Sequence, residues 1–479
     1  MSSDPKAVLF WFRRDLRLSD HPGLSAAFAS ALAQGAALIP VAILDPETEA
    51  LGAAPAWRLG QSLGALQADL EARGAKLILR RGDAQTVLQD LAAETGAREV
   101  HWQRLYDPAA ISRDSAVKAQ LSAQGLAAHS HAGHLLHEPW TVETKTGGMY
   151  RVYTPYWNAV KGRDVVAPVA LPEGAWPEPA HWPESDDLAQ WGLGARMQRG
   201  ADIVSRHVRV GQQAALDRLH DFAERWIGDY VANRDRPAVP GTSELSAHLS
   251  LGEIGVRTAW AVGLAALEQG RNGAETFLKE LVWREFAYHL MYHTPHLTSG
   301  NWRPEWDAFP WSTDEDDPAV LAWKQGRTGI PFVDAAMRQM YVTGTMHNRG
   351  RMIVASWLTK HMMTHWKIGM RWFEACLVDW DPASNAMGWQ WSAGSGPDAT
   401  PYFRVFNPVT QLAKFDPNGA YAGQWIAEGK GNPSETALSF FEAVPRSWGL
   451  SPDMAYPRPR ITPEAGRARA LEAYKARSF

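Results

Sequence analysis

Cysteine is nearly missing from this chain: Cys376 is the only one among 479 residues. That excludes internal disulfides and a thiolate metal cluster. It suits a reducing compartment, and a cytoplasmic protein is expected. Long apolar runs are missing too, so no membrane-spanning helix is expected. The apolar run near the start is too short for a signal peptide, and Arg13 and Arg14 follow it rather than precede it. Low-complexity tracts and internal repeats are absent. Neither charge sign dominates: 48 Lys and Arg face 52 Asp and Glu, a net charge of −4. This argues against a diffuse nucleic-acid coat but not against a local basic groove, since binding follows charge distribution. No G-x-G-x-x-G follows the first strand, so the dinucleotide fingerprint is lacking. No Cys/His/carboxylate set has metal-ligand spacing, and no metal is expected.

What is present is a folded, two-part chain. A hydrophobic share of 45% and a charged share of 21% exclude disorder. The length implies more than one core. In the first third, strand-like runs at 8–12, 37–44, 76–79, 99–102 and 126–129 alternate with helical pieces at 58–71, 86–95 and 114–124. Leu59, Leu63, Leu66 and Leu70 set the helical spacing of the first such piece. Short strands separated by helices predict a parallel, Rossmann-like sheet covered on both faces, which by itself gives no function. From 138 to about 199 repeated prolines, among them Pro155, Pro168, Pro172 and Pro177, break any long helix. After Gly211 the pattern is helical, at 212–230, 276–293, 331–343 and 352–365, with Gly344 placed as a C-terminal cap. The expected division is an α/β domain at 1–137, a connector at 138–205 and an all-helical domain at 206–479.

Tryptophan is the excess: 23 residues, several of them crowded into 347–407. Trp357, Trp366, Trp372, Trp380, Trp389 and Trp391 lie there among paired Arg and Asp. An indole brings a large polarisable ring and an N–H that needs a partner. The stretch reads as a site for a flat aromatic ligand, as a path for electrons, or as an aromatic-rich helical core.

Five strings fix the resemblance: FWFRRDLRLSD at 10–20, GTSELSAHL at 241–249, LVWREFAYHL at 281–290, GTMHNRGRM at 344–352 and GWQWSAGSGPDATPYFRVFNP at 388–408. In order and spacing, over about 8–425, the chain resembles the photolyase/cryptochrome flavoproteins, most like the bacterial photolyases for cyclobutane pyrimidine dimers. The resemblance implies FAD bound within the helical domain and light-driven repair of such dimers in DNA by electron transfer from excited reduced FAD. It implies damaged DNA as partner, no membrane, and a monomer.

The site residues follow from the same resemblance. Tyr230, Thr242, Ser243, Leu245, Ser246, Arg284, Arg351, Asp379, Asp381 and Asn385 would hold the FAD. The hydroxyls of Thr242, Ser243 and Ser246 at a helix start suit a diphosphate, and read alone they are equally a plain N-cap. Asp379 would pair with Arg351, Asp381 approach the ring edge, and Asn385 stand opposite the reactive nitrogen. Glu280, Trp283, Arg284 and Ala287 share one helical face by spacing. Glu280 would hydrogen-bond the flipped lesion, and Trp283 and Trp391 would stack on it, as a flipped base requires. Asn348 and Met352 replace the histidines of the (6-4) photolyases, which implies the cyclobutane type. Trp389, Trp366 and Trp311 would form an electron path, with Trp389 nearest the flavin and Trp311 at the surface. Trp357, Trp372 and Trp380 are left as packing. Arg234, Arg236, Arg349 and Arg404, with Lys161 and Arg163, are candidates for a basic rim that contacts phosphates.

Departures from the family pattern are local. Ala386 and Met387 differ from one bacterial branch, and Ala109 and Ala110 differ from a folate-binding branch. The second chromophore therefore stays open: a folate, a deazaflavin or none. The alternative reading is a cryptochrome photoreceptor with little repair. Against it, only about fifty residues follow Trp425, and 461–479 reads as a short helix rather than a long signalling tail. A light-independent flavin oxidoreductase lacks any nicotinamide fingerprint.

Overall fold

The computed structural model describes residues 7–170, 173–398 and 403–479. Pro172 and positions 399–402 of the last motif lie outside the described residues. Five strands build the N-terminal sheet: β1 (Ala7–Phe12), β2 (Ala37–Leu44), β3 (Ile78–Arg81), β4 (Glu99–Gln103) and β5 (Ala127–His131). Their order is β3-β2-β1-β4-β5, and every pairing is parallel. β1 reads AVLFWF and β2 ALIPVAIL, buried along their whole length. Continuous apolar strands are what a parallel sheet with both faces covered requires. Helices Pro22–Gln34, Ala53–Glu71, Ala84–Thr95 and Pro108–Ala123 supply the cover.

Capping chemistry moved several ends. The helix expected at 114–124 starts at Pro108, because the Asp107 carboxylate accepts from the Ala110 N–H and Pro108 suits the first turn. The helix expected at 86–95 starts at Ala84 behind an Asp83 cap. β3 sits two residues later than its apolar run suggested. The continuous helix expected at 212–230 breaks after Asp221 into a π-turn, a 3-10 turn and the short helix Tyr230–Asn233. There Arg271 donates to the Glu224 carbonyl. The one expected at 352–365 runs instead as Asn348–Ser356 followed by a π-turn, Trp357–His361. The Trp311 indole donates to the Thr359 carbonyl at 2.8 Å, which offers that oxygen a partner outside the helix.

The connector is more structured than its prolines imply. It includes the helix Tyr153–Val160 and then runs back across the sheet domain. The buried Trp176 indole donates to the Leu38 carbonyl at 2.8 Å, and Leu79 N–H donates to Ser185 Oγ at 2.9 Å. The remainder of the chain is helical and has two hydrophobic clusters: helices Val256–Glu268 and Ala274–His293 build one, Pro331–Thr343 and Trp366–Cys376 the other, and Pro382–Ala393 contributes to both.

The RRDLR string after β1 locks the two bodies together. Leu16 N–H donates to Leu251 O, and Arg17 donates to Gly252 O, both at 3.0 Å. Gly252 has φ 66°, and a Cβ there would lie 2.4 Å from the Arg14 carbonyl oxygen, so only glycine fits. Beside it Arg58 and Ser62, on helix Ala53–Glu71, reach Glu253. This junction holds the floor of the cavity described next.

Candidate functional site

Helices of the C-terminal part enclose a cavity of about 1040 Å³, at the upper end of ligand clefts. Helix Ala274–His293 contributes Glu280, Trp283 and Arg284 to its wall. Helix Asn348–Ser356 contributes Asn348, Arg351 and Met352, and the turn before helix Pro382–Ala393 contributes Asp379, Trp380 and Asp381. From that helix come Asn385, Trp389 and Trp391, while Tyr230, Arg234, Thr242, Ser243, Leu245 and Ser246 close another side. Residues from motifs up to 161 positions apart, Tyr230 to Trp391, thus share one space.

The polar groups are held by specific partners. Arg351 pairs with Asp379 at 2.7 Å, the pairing expected from the motifs. Asp379 is buried, and its second carboxylate oxygen has no partner. The Asp381 side chain accepts from Ser384 N–H at 2.8 Å and from the Tyr288 hydroxyl at 2.5 Å. Asn385 donates to the Met370 carbonyl at 3.0 Å. Arg284 is anchored by His134, through its carbonyl at 2.9 Å and its ring nitrogen at 2.8 Å. Burial and the Arg284 charge hold His134 well below the usual histidine range, so it stays neutral and can accept. Thr242 and Ser243 offer their carbonyls to Arg218, at 2.7 and 2.9 Å. The helix that begins at Ser246 is only five residues long.

A second set of lining residues reaches solvent. Asn348 is exposed, and the Glu280 side chain is 30% exposed while paired to Arg234 at 2.6 Å. Burial raises the Glu280 carboxyl above its ordinary range, and Arg234 offsets part of that. Trp283 has one face covered: the Tyr153 ring stacks on it with centroids 3.7 Å apart and planes 7° apart.

Several expectations need correction. Trp311 is not at the surface; it is buried, stacked on Trp306 at 5.7 Å. Phe403, Tyr474 and Phe479 pack round Trp306 and cover this corner from the far end of the chain. His365 lies between Trp311 and Trp366, at 5.4 and 5.5 Å between centroids. Trp366 is fully buried and its indole donates to Asn301 at 2.8 Å. Trp389 packs so closely on that helix that a Cβ at Gly369 would lie 2.0 Å from its ring. Trp380, assigned to packing, lines the cavity. The basic rim is only partly free. Arg349 pairs with Asp235 at 2.7 Å and lies outside the cavity wall, as do the exposed Arg236 and Arg404. Lys161 is exposed, and Arg163 donates to the Thr141 carbonyl at 2.9 Å.

Reading the sequence missed Tyr153, His134, Asp235, Arg58 and His248. Arg58 and His248 line the cavity. The aromatic string YTPYW at 153–157 was a usable signal for Tyr153.

The donor set fits FAD. Hydroxyls, an Arg–Asp pair, a side-chain amide and a buried carboxylate converge on one large space, and two of its lining residues, Asp379 and Trp389, each carry a buried polar atom without a partner, Oδ1 and Nε1. A parallel-sheet domain docked on a helical domain with such a cavity suits a protein that binds a large cofactor. Residues 277–476 match the FAD binding domain of DNA photolyase, and residues 8–175 match the DNA photolyase domain. The chain belongs to the photolyase/cryptochrome family. It is 44% identical over 480 residues to a deoxyribodipyrimidine photo-lyase of Agrobacterium fabrum, covering 99% of each chain. A crystal structure of a bacterial class III photolyase from Agrobacterium tumefaciens superposes with a TM-score of 0.89 at 43% identity, covering 99% of this chain and 98% of that one. An archaeal photolyase from Sulfolobus tokodaii, solved with two FAD molecules, gives 0.78 at 29% identity, covering 98% and 99%. Among the described residues no helix is long and apolar enough to cross a membrane.

Proposed function

We propose that the protein is a light-driven DNA repair enzyme that splits cyclobutane pyrimidine dimers, with FAD in the cavity. The observation that carries this reading is that two buried carboxylates, Asp379 (paired with the half-buried Arg351) and Asp381, line the same cavity as a solvent-reaching set (Glu280, Asn348, Trp283, Trp391). When bound and reduced, FAD would supply, under near-ultraviolet or blue light, the single electron that opens the cyclobutane ring and would take it back once the ring has split. Arg351 and Asp379 orient the cofactor, and Asn385 is fixed by its bond to Met370. Trp283, backed by Tyr153, offers one free face to a flipped base, and Trp391 offers another. Glu280 and Asn348 supply hydrogen bonds to the pairing edges. Asn348 and Met352 place no acid–base histidine pair there, and dimer splitting needs none. Arg234, Arg349 and Arg404 hold backbone phosphates, for affinity without sequence preference.

The test is recovery of unmodified thymine from an irradiated thymine oligonucleotide given the reduced protein and near-ultraviolet light. No recovery refutes the reading. The reading includes a monomer acting in the cytoplasm; a solution mass near 53.0 kDa checks the monomer. A second chromophore on the sheet domain is read out by the absorption spectrum of the purified protein.

Trp366, between Trp389 and Trp311 in the proposed path, gives a separate prediction. Trp366→Phe should abolish photoreduction of oxidised FAD yet leave repair by chemically reduced protein within about twofold, since a phenyl ring is far harder to oxidise. Losing the bond to Asn301 costs about 1–3 kcal/mol of stability. Equal loss of both activities would place Trp366 in the repair step instead.

A further inference from the structure

Across the sheet domain, away from the cavity, the fold assembles a cluster that sequence spacing did not reveal. β4 and β5 pair in parallel with His101 directly opposite His129. Side chains alternate along a strand, so Glu99 lies on the same face as His101. The ligand atoms of Glu99, His101 and His129 all lie within 4.8 Å of one another. Glu99 Oε2 is 3.1 Å from His101 Nε2, close to the edge of a tetrahedral ligand shell. The His101 and His129 rings are 4.6 Å apart. None of the three lines the cavity.

The groups around this cluster orient it. Ser30 Oγ donates to Glu99 Oε2 at 2.6 Å, and Gln34 Nε2 donates to Glu99 Oε1 at 2.7 Å, both from helix Pro22–Gln34. His131 Nε2 lies 3.0 Å from His101 Nδ1, with its ring stacked on that of His101 at 5.2 Å and 8°. His101 is buried, Glu99 and His131 half-buried and His129 exposed on the edge strand, so a cation has an open approach.

We propose that Glu99, His101 and His129 form a divalent-cation site of the zinc type. Two imidazole nitrogens and one carboxylate oxygen suit zinc and its first-row neighbours better than calcium or magnesium, which prefer all-oxygen shells. Three protein ligands leave a fourth position for water. Without the ion, His101 Nε2–H donates to Glu99 and His131 Nε2–H donates to His101 Nδ1. With it, each ring moves its proton to Nδ1: the His101 lone pair at Nε2 faces the ion, and His101 Nδ1–H donates to His131 Nε2. Each ring keeps one proton, so none is released. His131 becomes the outer partner that fixes the ligand's tautomer. Sequence reading gave no metal because the two ligand histidines flank an entire crossover helix, Pro108–Ala123.

Titrating the FAD-loaded protein with zinc chloride tests this, with cobalt chloride as a spectroscopic probe to the red of flavin absorption. One saturable equivalent is expected, with a rise in the thermal midpoint. His129→Ala and Glu99→Gln should each weaken binding by about tenfold or more, and His131→Phe by about 10–100-fold through loss of the outer hydrogen bond. His129 is exposed, so its variant should fold with unchanged flavin absorption. Absence of a saturable equivalent, or equal affinity in the wild type and His129→Ala, overturns the proposal.

Discussion

Glu280→Ala is expected to lower light-driven repair of a thymine-dimer oligonucleotide by about tenfold or more while FAD stays bound. Glu280 is the carboxyl that reaches solvent on the wall shared with Trp283, and it is held to Arg234 at 2.6 Å. Burial raises its proton affinity, so it can offer a proton to a base carbonyl at higher pH than an ordinary carboxyl. A hydrogen bond that involves a charged group is worth about 1.5–3 kcal/mol, or about 10–100-fold in a rate or a binding constant. Comparing repair yield per bound lesion with lesion affinity separates the two. Flavin absorption at one equivalent per chain is the control. Loss of FAD would instead assign Glu280 to the cofactor's own shell. The substitution also frees the Arg234 guanidinium, so affinity for undamaged DNA should hold or rise, a change that general unfolding would not produce.

What was legible in the sequence had a local cause. Continuous apolar runs marked β1 and β2, because the centre of a sheet covered on both faces demands them, whereas the edge strand β5, AAHSH, is only partly covered. The pairing of Arg351 with Asp379 followed from two motifs and is present at 2.7 Å. Other features depend on tertiary neighbours that no window contains. Tyr153 covers Trp283 across 130 positions, and the proline-rich texture around Tyr153 hid its helix. Trp311 is buried beside Trp306, on which Tyr474 and Phe479 pack from far along the chain, and nothing near position 311 announces that corner. Helix ends moved where a side-chain cap outcompeted periodicity, as at Asp83 and Asp107. The Glu99, His101 and His129 cluster depends on strand register, which a spacing rule cannot see.

Glu253→Gln should cost about 3–5 kcal/mol of stability at pH 7, the expected penalty for breaking a buried ion pair from one side. The Glu253 side chain is fully buried. It accepts from Ser62 Oγ at 2.6 Å and Gly211 N–H at 2.8 Å, and it pairs with Arg58 and with His248. Arg58 and Ser62 belong to the sheet-domain helix Ala53–Glu71, while His248 and Glu253 belong to the helical part, so one carboxylate ties the two bodies together. Removing its charge strands the guanidinium of Arg58, itself 1% exposed. Burial alone would raise the Glu253 pKa, but the His248 hydrogen bond and the Arg58 charge outweigh it, leaving the pKa below the ordinary value. A lowered carboxyl pKa adds stability above the unfolded value, about 4.3 for Glu, and that part disappears as pH falls through the folded value. Denaturant midpoints measured across pH should therefore show the gap between wild type and Glu253→Gln wide at pH 7 and closing on acidification below about pH 4. Because Arg58 and His248 also line the cavity, the variant should release FAD more readily, so the comparison is made both with saturating FAD and without it. A gap under about 1 kcal/mol at pH 7, or one that widens in acid, would mean that the junction is held by packing and not by this carboxylate.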